Sequence, residues 1–287
     1  MAKNTDIDYV EVHVPHPWKD LAAGYIAGIA NILSGQPFDI CKVRIQNRGT
    51  GSFLPTFKDI VQQEGILALW KGSVFPLLTF GMCNAILFAV NEKCKYFFKE
   101  ITNRQKLSYA HFFATGGIAG IANTVISSPM EHVRIRMQIQ DSKFKAYNNS
   151  FDAAFKIAKQ HGLKGVYKGA SITVVREILL YGAYFANYEV LRQTFPSENK
   201  LWLMICGGTA GVFGWCFGCI PDNIKSRVQS DSFSQPKYKG ALDVFKKSSL
   251  NDLTKGFTVG FYRAFPVNAC TFFTFEMAVK RLYKNSR

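Results

Sequence analysis

Three polar side chains stand where an apolar chain has no structural use for them. Counting back thirteen residues from Glu92, Glu189 and Glu276 lands on Thr79, Arg176 and Arg263, and Glu177 stands beside the second of these. If the thirteen residues are helical they rise about 20 Å, which places all three near the middle of a hydrocarbon core about 30 Å thick. An ionised side chain at that depth costs about 2.5–3.5 kcal/mol even on the lenient insertion scale, so it must face a water-filled interior or a partner. Arg176 and Glu177 could merely neutralise one another. Adjacent helical residues diverge by about 100°, however, which favours two groups presented separately to a cavity that binds a solute. Bond-breaking chemistry has no support: no phosphate-binding glycine loop precedes a helix, no metal-ligand cluster is spaced for use, and His13, His16, His111, His132 and His161 have no paired nucleophile. The chain is expected to be no enzyme and to hold neither metal nor cofactor.

The elements that must position these residues are membrane helices. Uncharged stretches run from Leu21 to Phe38, Gly72 to Asn91, Leu107 to Met130 and Leu201 to Pro221, each near the ~20 residues that cross a bilayer as a helix. Of the 287 residues 48% are hydrophobic and 19% charged, against about 25% charged in soluble proteins. The net charge is +15, and the bases gather at the ends of the uncharged stretches, where they meet anionic headgroups rather than nucleic acid. Met1 to Asp20 carries Asp6, Asp8 and Glu11 with no apolar run, unlike a signal or Arg-rich transit peptide, so targeting is expected to be internal. Seven cysteines, mostly inside apolar stretches, read as reduced buried thiols, and the lone Cys216-x-x-Cys219 is no metal site without a second pair.

The chain repeats itself three times. Pro37-Phe-Asp39-Ile-Cys-Lys42-Val-Arg44-Ile-Gln46 recurs as Pro129-Met-Glu131-His-Val-Arg134-Ile-Arg136-Met-Gln138, and again as Pro221-Asp222-Asn-Ile-Lys225-Ser-Arg227-Val-Gln229. The acids are 92 and 91 positions apart. Eleven and fifteen residues before each acid stand glycines (Gly28 and Gly24, Gly120 and Gly116, Gly211 and Gly207), a spacing that lets neighbouring helix backbones approach. Lys71-Gly72, Lys168-Gly169 and Lys255-Gly256 each precede their glutamate by the same interval. Three units follow, at residues 1–104, 105–197 and 198–287 of one transmembrane domain, each a helix, a basic loop with a short amphipathic helix (Thr56 to Gln63 in the first), and a second helix. The fold class is all-α: six transmembrane helices around a central cavity, with prolines bending the odd helices inward at one end.

The repeated P-x-[DE]-x-x-[KR]-x-[KR] with its trailing Gln resembles the signature of the mitochondrial carrier family, and the likeness spans almost the whole chain. It implies a multi-pass protein of the mitochondrial inner membrane that exchanges a solute by alternating access. It also implies a matrix-side gate of Asp39 with Arg134, Glu131 with Lys225 and Asp222 with Lys42, braced by Gln46, Gln138 and Gln229. The opposite, cytosolic gate maps onto Glu92 with Arg192 and Glu276 with Lys95, while Glu189 faces Val279 and loses its partner. An Arg followed by an acid in the fourth helix, and Arg263-Ala-Phe-Pro266-Val-Asn268 in the sixth, resemble the carnitine/acylcarnitine and basic amino-acid branch. Both solute classes carry a carboxylate, which suits arginine forks, and a cationic nitrogen, which suits Glu177. The solute site is therefore expected at Thr79, Arg176, Glu177 and Arg263. Cardiolipin is the expected lipid partner, held at Lys71, Gly72, Lys168, Gly169, Lys255 and Gly256 where helix N-termini attract phosphate.

Unit three departs from the pattern. Its proline is one place late, and the acidic-Gly step, Glu64-Gly65 in unit one and His161-Gly162 in unit two, has become Ser248-Ser249. That drift leaves a second reading: a carrier fold kept as a structural subunit of a large inner-membrane complex, with partner chains and reduced transport.

Overall fold

The computed structural model describes residues 17–48, 52–103, 107–140, 145–196 and 200–284. Six long helices dominate them: α1 (Pro17–Arg48), α3 (Val74–Thr102), α4 (Tyr109–Ile139), α6 (Ala170–Thr194), α7 (Lys200–Ser230) and α10 (Phe257–Lys284). The shortest has 25 residues, about 37 Å of rise and enough to cross a hydrocarbon core. Between the members of each pair lie short helices: α2 (Phe53–Glu64) and a 3-10 turn at Ile66–Trp70 in unit one, α5 (Ser150–Val166) in unit two, and α8 (Ala241–Lys247) with α9 (Leu250–Leu253) in unit three. Strands are absent among the described residues.

The packing is inverted relative to a soluble bundle. Gln36, Gln46, Gln138, Gln229, His132 and Glu177 are almost wholly buried, while Leu78, Phe97, Ile101, Val125 and Phe273 are more than half exposed. Apolar side chains turned outward suit lipid, and polar ones turned inward suit a hydrated interior. Among the described residues, length and hydropathy alone mark one membrane span, within Ile66–Thr102. The odd helices are built instead on Gly, Ser, Thr and Asn, which lower their hydropathy and allow close packing.

Pro37, Pro129 and Pro221 all lie inside their helices, which run on past them to Arg48, Ile139 and Ser230. A proline in a helix interior leaves the carbonyl four residues earlier without its donor. In units one and two an aromatic side chain from the basic loop supplies one: Trp70 Nε1 donates to the Leu33 carbonyl at 2.9 Å, and the Tyr167 hydroxyl to that of Val125 at 2.9 Å. Both sit just before the Lys-Gly step. Unit three has Thr254 there, and its hydroxyl donates locally to Leu250 and Asn251 at 3.2 Å.

Helix contacts follow the glycines. A Cβ at Gly120 would lie 2.7 Å from the Glu177 carbonyl oxygen, and one at Gly116 would collide with that of Tyr181, so α4 and α6 touch backbone to backbone. The same places in unit three, Gly207 and Gly211, have nothing within 4 Å. There α10 packs along α1 and meets α7 at Gly260, beneath the Trp215 ring. Gly72, Gly169 and Gly256 share one left-handed backbone geometry (φ 81°, 78° and 82°). Each rests on the odd helix of the following unit, at Arg134, at Gln229 and at Lys42 with Gln46. The three loops therefore seat in a cycle. His111 is half-buried and caps α4, with Nδ1 2.7 Å from the Ser108 hydroxyl.

Candidate functional site

Two cavities meet inside the bundle. The polar one, about 270 Å³, is lined by Thr79, Arg176, Glu177 and Arg263 together with Asp39, Glu131 and Arg134. All four side chains expected to form a solute site therefore face one space. Thr79 reaches it from α3, with its hydroxyl donating to the Phe75 carbonyl at 2.8 Å. Glu177 is 1% exposed, accepts from Asn123 Nδ2 at 2.9 Å, and also accepts from Arg176 Nη2. The direct pair corrects the expectation that the two would be presented separately. An arginine side chain is long enough to wrap around the turn, and a carboxylate this deeply buried needs a countercharge.

Both arginines also hold acids of the proline motifs. Arg176 Nη2 donates to both Glu131 carboxylate oxygens at 2.9 and 3.1 Å, and Arg263 Nε lies 3.1 Å from Asp39 Oδ1. Gly35 makes the second contact possible, since a Cβ there would be 2.9 Å from Arg263 Nη2. Each of the two solute-site arginines is thus joined to an acid of a proline motif.

Around those contacts the three interunit pairs close one end of the cavity. Arg134 Nη2 lies 2.7 Å from Asp39 Oδ2, Lys42 Nζ lies 2.8 Å from Asp222 Oδ2, and Lys225 pairs with Glu131. The braces differ from expectation. Gln46 donates to Asp222 at 3.2 Å, but Gln229 turns to the Lys168 carbonyl at 3.2 Å, and the Gln138 amide atoms are buried with no partner. The Asp39–Arg134 pair is held instead by Gln36, which accepts from Arg134 at 2.6 Å and donates to the Lys71 carbonyl at 2.8 Å. Gln36 and Asn123 were missed. Their signal is a lone amide inside an otherwise uncharged stretch: Gln36 stands beside Pro37, and Asn123 stands about two turns after Gly116.

At the other end, Lys95 Nζ lies 2.6 Å from Glu189 and 2.5 Å from Glu92. This corrects two expectations: Glu189 has a partner despite Val279, and Arg192 does not pair with Glu92 but lies over the Tyr188 ring at 5.8 Å. Lysine's flexible stem lets one base reach an acid on its own helix, Glu92, and a second on α6, Glu189. The expected pair of Glu276 with Lys95 falls outside the described side chains.

The Lys-Gly steps hold three different arrangements. Lys71 and Arg44 both pair with Glu64, the latter at 2.5 Å. In unit two the acid is replaced by His161, which stacks on Phe233 with centroids 3.9 Å apart. Arg136 and Lys168 flank the same ring at 4.6 Å, and Lys168 Nζ donates to the Ser232 carbonyl at 3.2 Å and more closely to that of Asp231. Burial and the neighbouring Arg136 charge push the Lys168 ammonium down to about 8. In unit three Lys255 pairs with Asp252, and Arg227 donates to the Ser248 hydroxyl at 3.0 Å.

Comparison with known proteins agrees with this geometry. The mitochondrial carrier protein family matches residues 13–102, 105–199 and 197–286, one match per unit. A glutamate/glycine mitochondrial carrier of Schizosaccharomyces pombe is 37% identical over 90% of this chain and 92% of its own length. The human mitochondrial basic amino acids transporter is 35% identical over 89% of this chain and 88% of its own. The human mitochondrial carnitine/acylcarnitine carrier protein is 33% identical over 93% and 95% respectively. Three repeats, proline-containing helices around a charged cavity and these relatives lead to one conclusion: the chain belongs to the mitochondrial carrier family, as a multi-pass protein of the mitochondrial inner membrane that carries a small solute and is not an enzyme.

Proposed function

We propose that the chain exchanges a zwitterionic solute, amino-acid-like or carnitine-type, by alternating access, with Thr79, Arg176, Glu177 and Arg263 as its binding site. The observation that carries this reading is the double engagement of Arg176 and Arg263. Each lines the cavity, and each contacts an acid that belongs to an interunit pair, Glu131 or Asp39. A solute carboxylate entering the cavity competes with those acids for the arginine forks, while its cationic nitrogen takes the charge of Glu177. Binding therefore loosens the pairs Asp39–Arg134 and Glu131–Lys225, and the solute's own interaction energy offsets their loss. That is the coupling a matrix-side gate requires, since a ligand shifts an equilibrium only by its differential affinity for the two states.

On the same reading Lys95, Glu92 and Glu189 belong to the cytosolic-side gate, with Arg192 and Glu276 as its further members. The three left-handed glycines, Gly72, Gly169 and Gly256, open helices beside lysines and serve as phosphate seats for cardiolipin; native mass spectrometry of the Lys71→Ala and Lys168→Ala variants should show reduced retention of that lipid.

The test of the site is uptake of labelled carnitine, ornithine and glycine into liposomes containing the purified chain. Glu177→Gln should abolish uptake of whichever solute the wild type takes, with thermal unfolding of the variant still cooperative. Undiminished uptake in Glu177→Gln would refute the assignment.

A further inference from the structure

The polar cavity holds more hydrogen-bonding capacity than its own walls use. An ionised Glu177 can only accept, so Asn123 turns Nδ2 toward it at 2.9 Å and its carbonyl oxygen is left for another donor. That oxygen is buried with no partner. One turn on, the Ser127 hydroxyl is also buried with no partner, although a helical hydroxyl can bond the carbonyl four residues back, as Thr124 does to Gly120 at 3.0 Å. Both residues line the cavity and both are more than nine-tenths buried. Gly120 sets their placement. A Cβ there would lie 2.7 Å from the Glu177 carbonyl oxygen, so α4 and α6 run close enough for Asn123, three residues on, to reach the Glu177 carboxylate. Asn123 and Ser127 are four apart and share one face of α4.

The larger cavity supplies the contrast. It is a mostly apolar crevice of about 720 Å³ between α7 and α10, where Gly207, Gly208 and Gly211 have nothing within 4 Å, and it joins the polar cavity at Asp39 and Arg263. Among the described residues that line it, no buried acceptor lacks a partner. The unmet acceptors are gathered beside Glu177. A buried acceptor without a donor is costly, so two of them beside a carboxylate point to donors that arrive with the solute.

We infer that Asn123 and Ser127 select the solute by its N–H bonds: the cationic head is a primary ammonium whose three donors meet Glu177, Asn123 Oδ1 and Ser127 Oγ. This rests on the zwitterion reading above and adds a rule for the head group. A trimethylammonium carries the same charge and no donor, so it keeps the attraction of Glu177 and leaves both α4 acceptors unpaired. A site built to hydrogen-bond an N–H rejects an analogue lacking it far more strongly than an apolar pocket rejects one added methylene. The degree of N-methylation is therefore what the two residues read, and charge alone is read by Glu177.

The probes are two series that differ only in methylation of the nitrogen: glycine to trimethylglycine, and 4-aminobutanoate to its trimethyl analogue. Every member is a zwitterion at neutral pH, so only the count of N–H bonds changes. Binding is read as the concentration that half-saturates the rise in unfolding midpoint of the purified chain in mild detergent, which requires no transport. Each methyl should weaken binding by about tenfold, the worth of one hydrogen bond to a charged group. In Ser127→Ala the primary ammonium should lose about tenfold and the trimethyl member nothing, since only the former has a donor for that hydroxyl. The variant removes a group that has no partner in the solute-free protein, so its unliganded midpoint should not fall.

Asn123→Leu removes the other acceptor and also a donor to Glu177, so it is compared only if its unfolding stays cooperative; Ser127→Ala and the wild-type series decide the matter without it. Equal affinity along both series, preference for the trimethyl members, or the same dependence on methylation in wild type and Ser127→Ala overturns the proposal and leaves the zwitterion reading standing. Absence of binding by every member removes that reading and the proposal with it.

Discussion

Units two and three are built on the same register and differ in how firmly it is fastened. In unit two α4 and α6 touch through Gly116 and Gly120, and Tyr167 bonds the carbonyl that Pro129 leaves open. In unit three the matching glycines face empty space, the proline is a place late, and Thr254 bonds only its own turn. Unit three is not simply degraded, however. Asn223, wholly buried, donates to the carbonyls of Asp252 and Lys255 at 3.2 and 3.1 Å, and so ties α7 to its loop from the other side. The lesson is that a threefold sequence pattern fixes where contacts can form. Which of them are tight depends on one or two residues per unit.

The glycines offer the strongest way to break this contrast. Gly120→Leu drives a side chain into the α6 backbone, which cannot move aside as a flexible side chain would, and should cost about 1–3 kcal/mol or more. Gly211→Leu enters open space and should stay within about 0.5 kcal/mol. Thermal unfolding of both variants in mild detergent gives the comparison, and equal losses would show that unit three is as closely packed as unit two. Next in size is the strap. Tyr167→Phe leaves the Val125 carbonyl without its donor and should cost roughly 1–2 kcal/mol, read as a lower midpoint in the same assay. Thr254→Ala removes only bonds within one exposed turn and should cost less.

The Phe233 cluster gives a smaller, pH-dependent difference. The folded Lys168 pKa, about 8, lies below the ordinary 10.5. Between those values the unfolded chain binds more protons than the folded one, so this group makes stability rise with pH across that window and adds nothing further above it. His161→Glu supplies the acid that unit one has in Glu64; it should raise the Lys168 pKa and flatten the rise. Unfolding midpoints at pH 7.5, 8.5 and 9.5 that run parallel in the two proteins would contradict the assignment. The smallest effect is expected at the far end of the bundle. Because Lys95 already serves Glu189, Val279→Lys should change stability by no more than the 0.2–1 kcal/mol of an exposed pair, and accessibility of a cavity cysteine to a thiol reagent should hardly move.

Much of the architecture was legible because recurrence at 92 and 91 residues cannot serve one helix alone. The register of Thr79, Arg176 and Arg263 likewise identified side chains that share a cavity. What spacing could not supply was reach. Arg176 wraps onto Glu177, Lys95 spans two acids, and Gln36 rather than Gln138 supports the Asp39–Arg134 pair, all because long side chains choose partners by local geometry. The crevice between α7 and α10 was equally hidden, since glycines at the same spacing read alike whether a neighbouring helix covers them or stands away.

The cyclic seating of the Lys-Gly loops has a consequence for how the chain matures. Gly256 rests on Lys42 and Gln46, and Asn31 donates to Thr271 at 3.0 Å across 240 positions, so α1 acquires its most extensive partner, α10, only when the last of the described helices has been made. Contacts of such sequence separation form slowly. During synthesis the nascent bundle is an open arc whose first helix exposes its polar flank, and a chain halted before α10 should be a substrate for quality-control proteolysis even though two of its three units are complete.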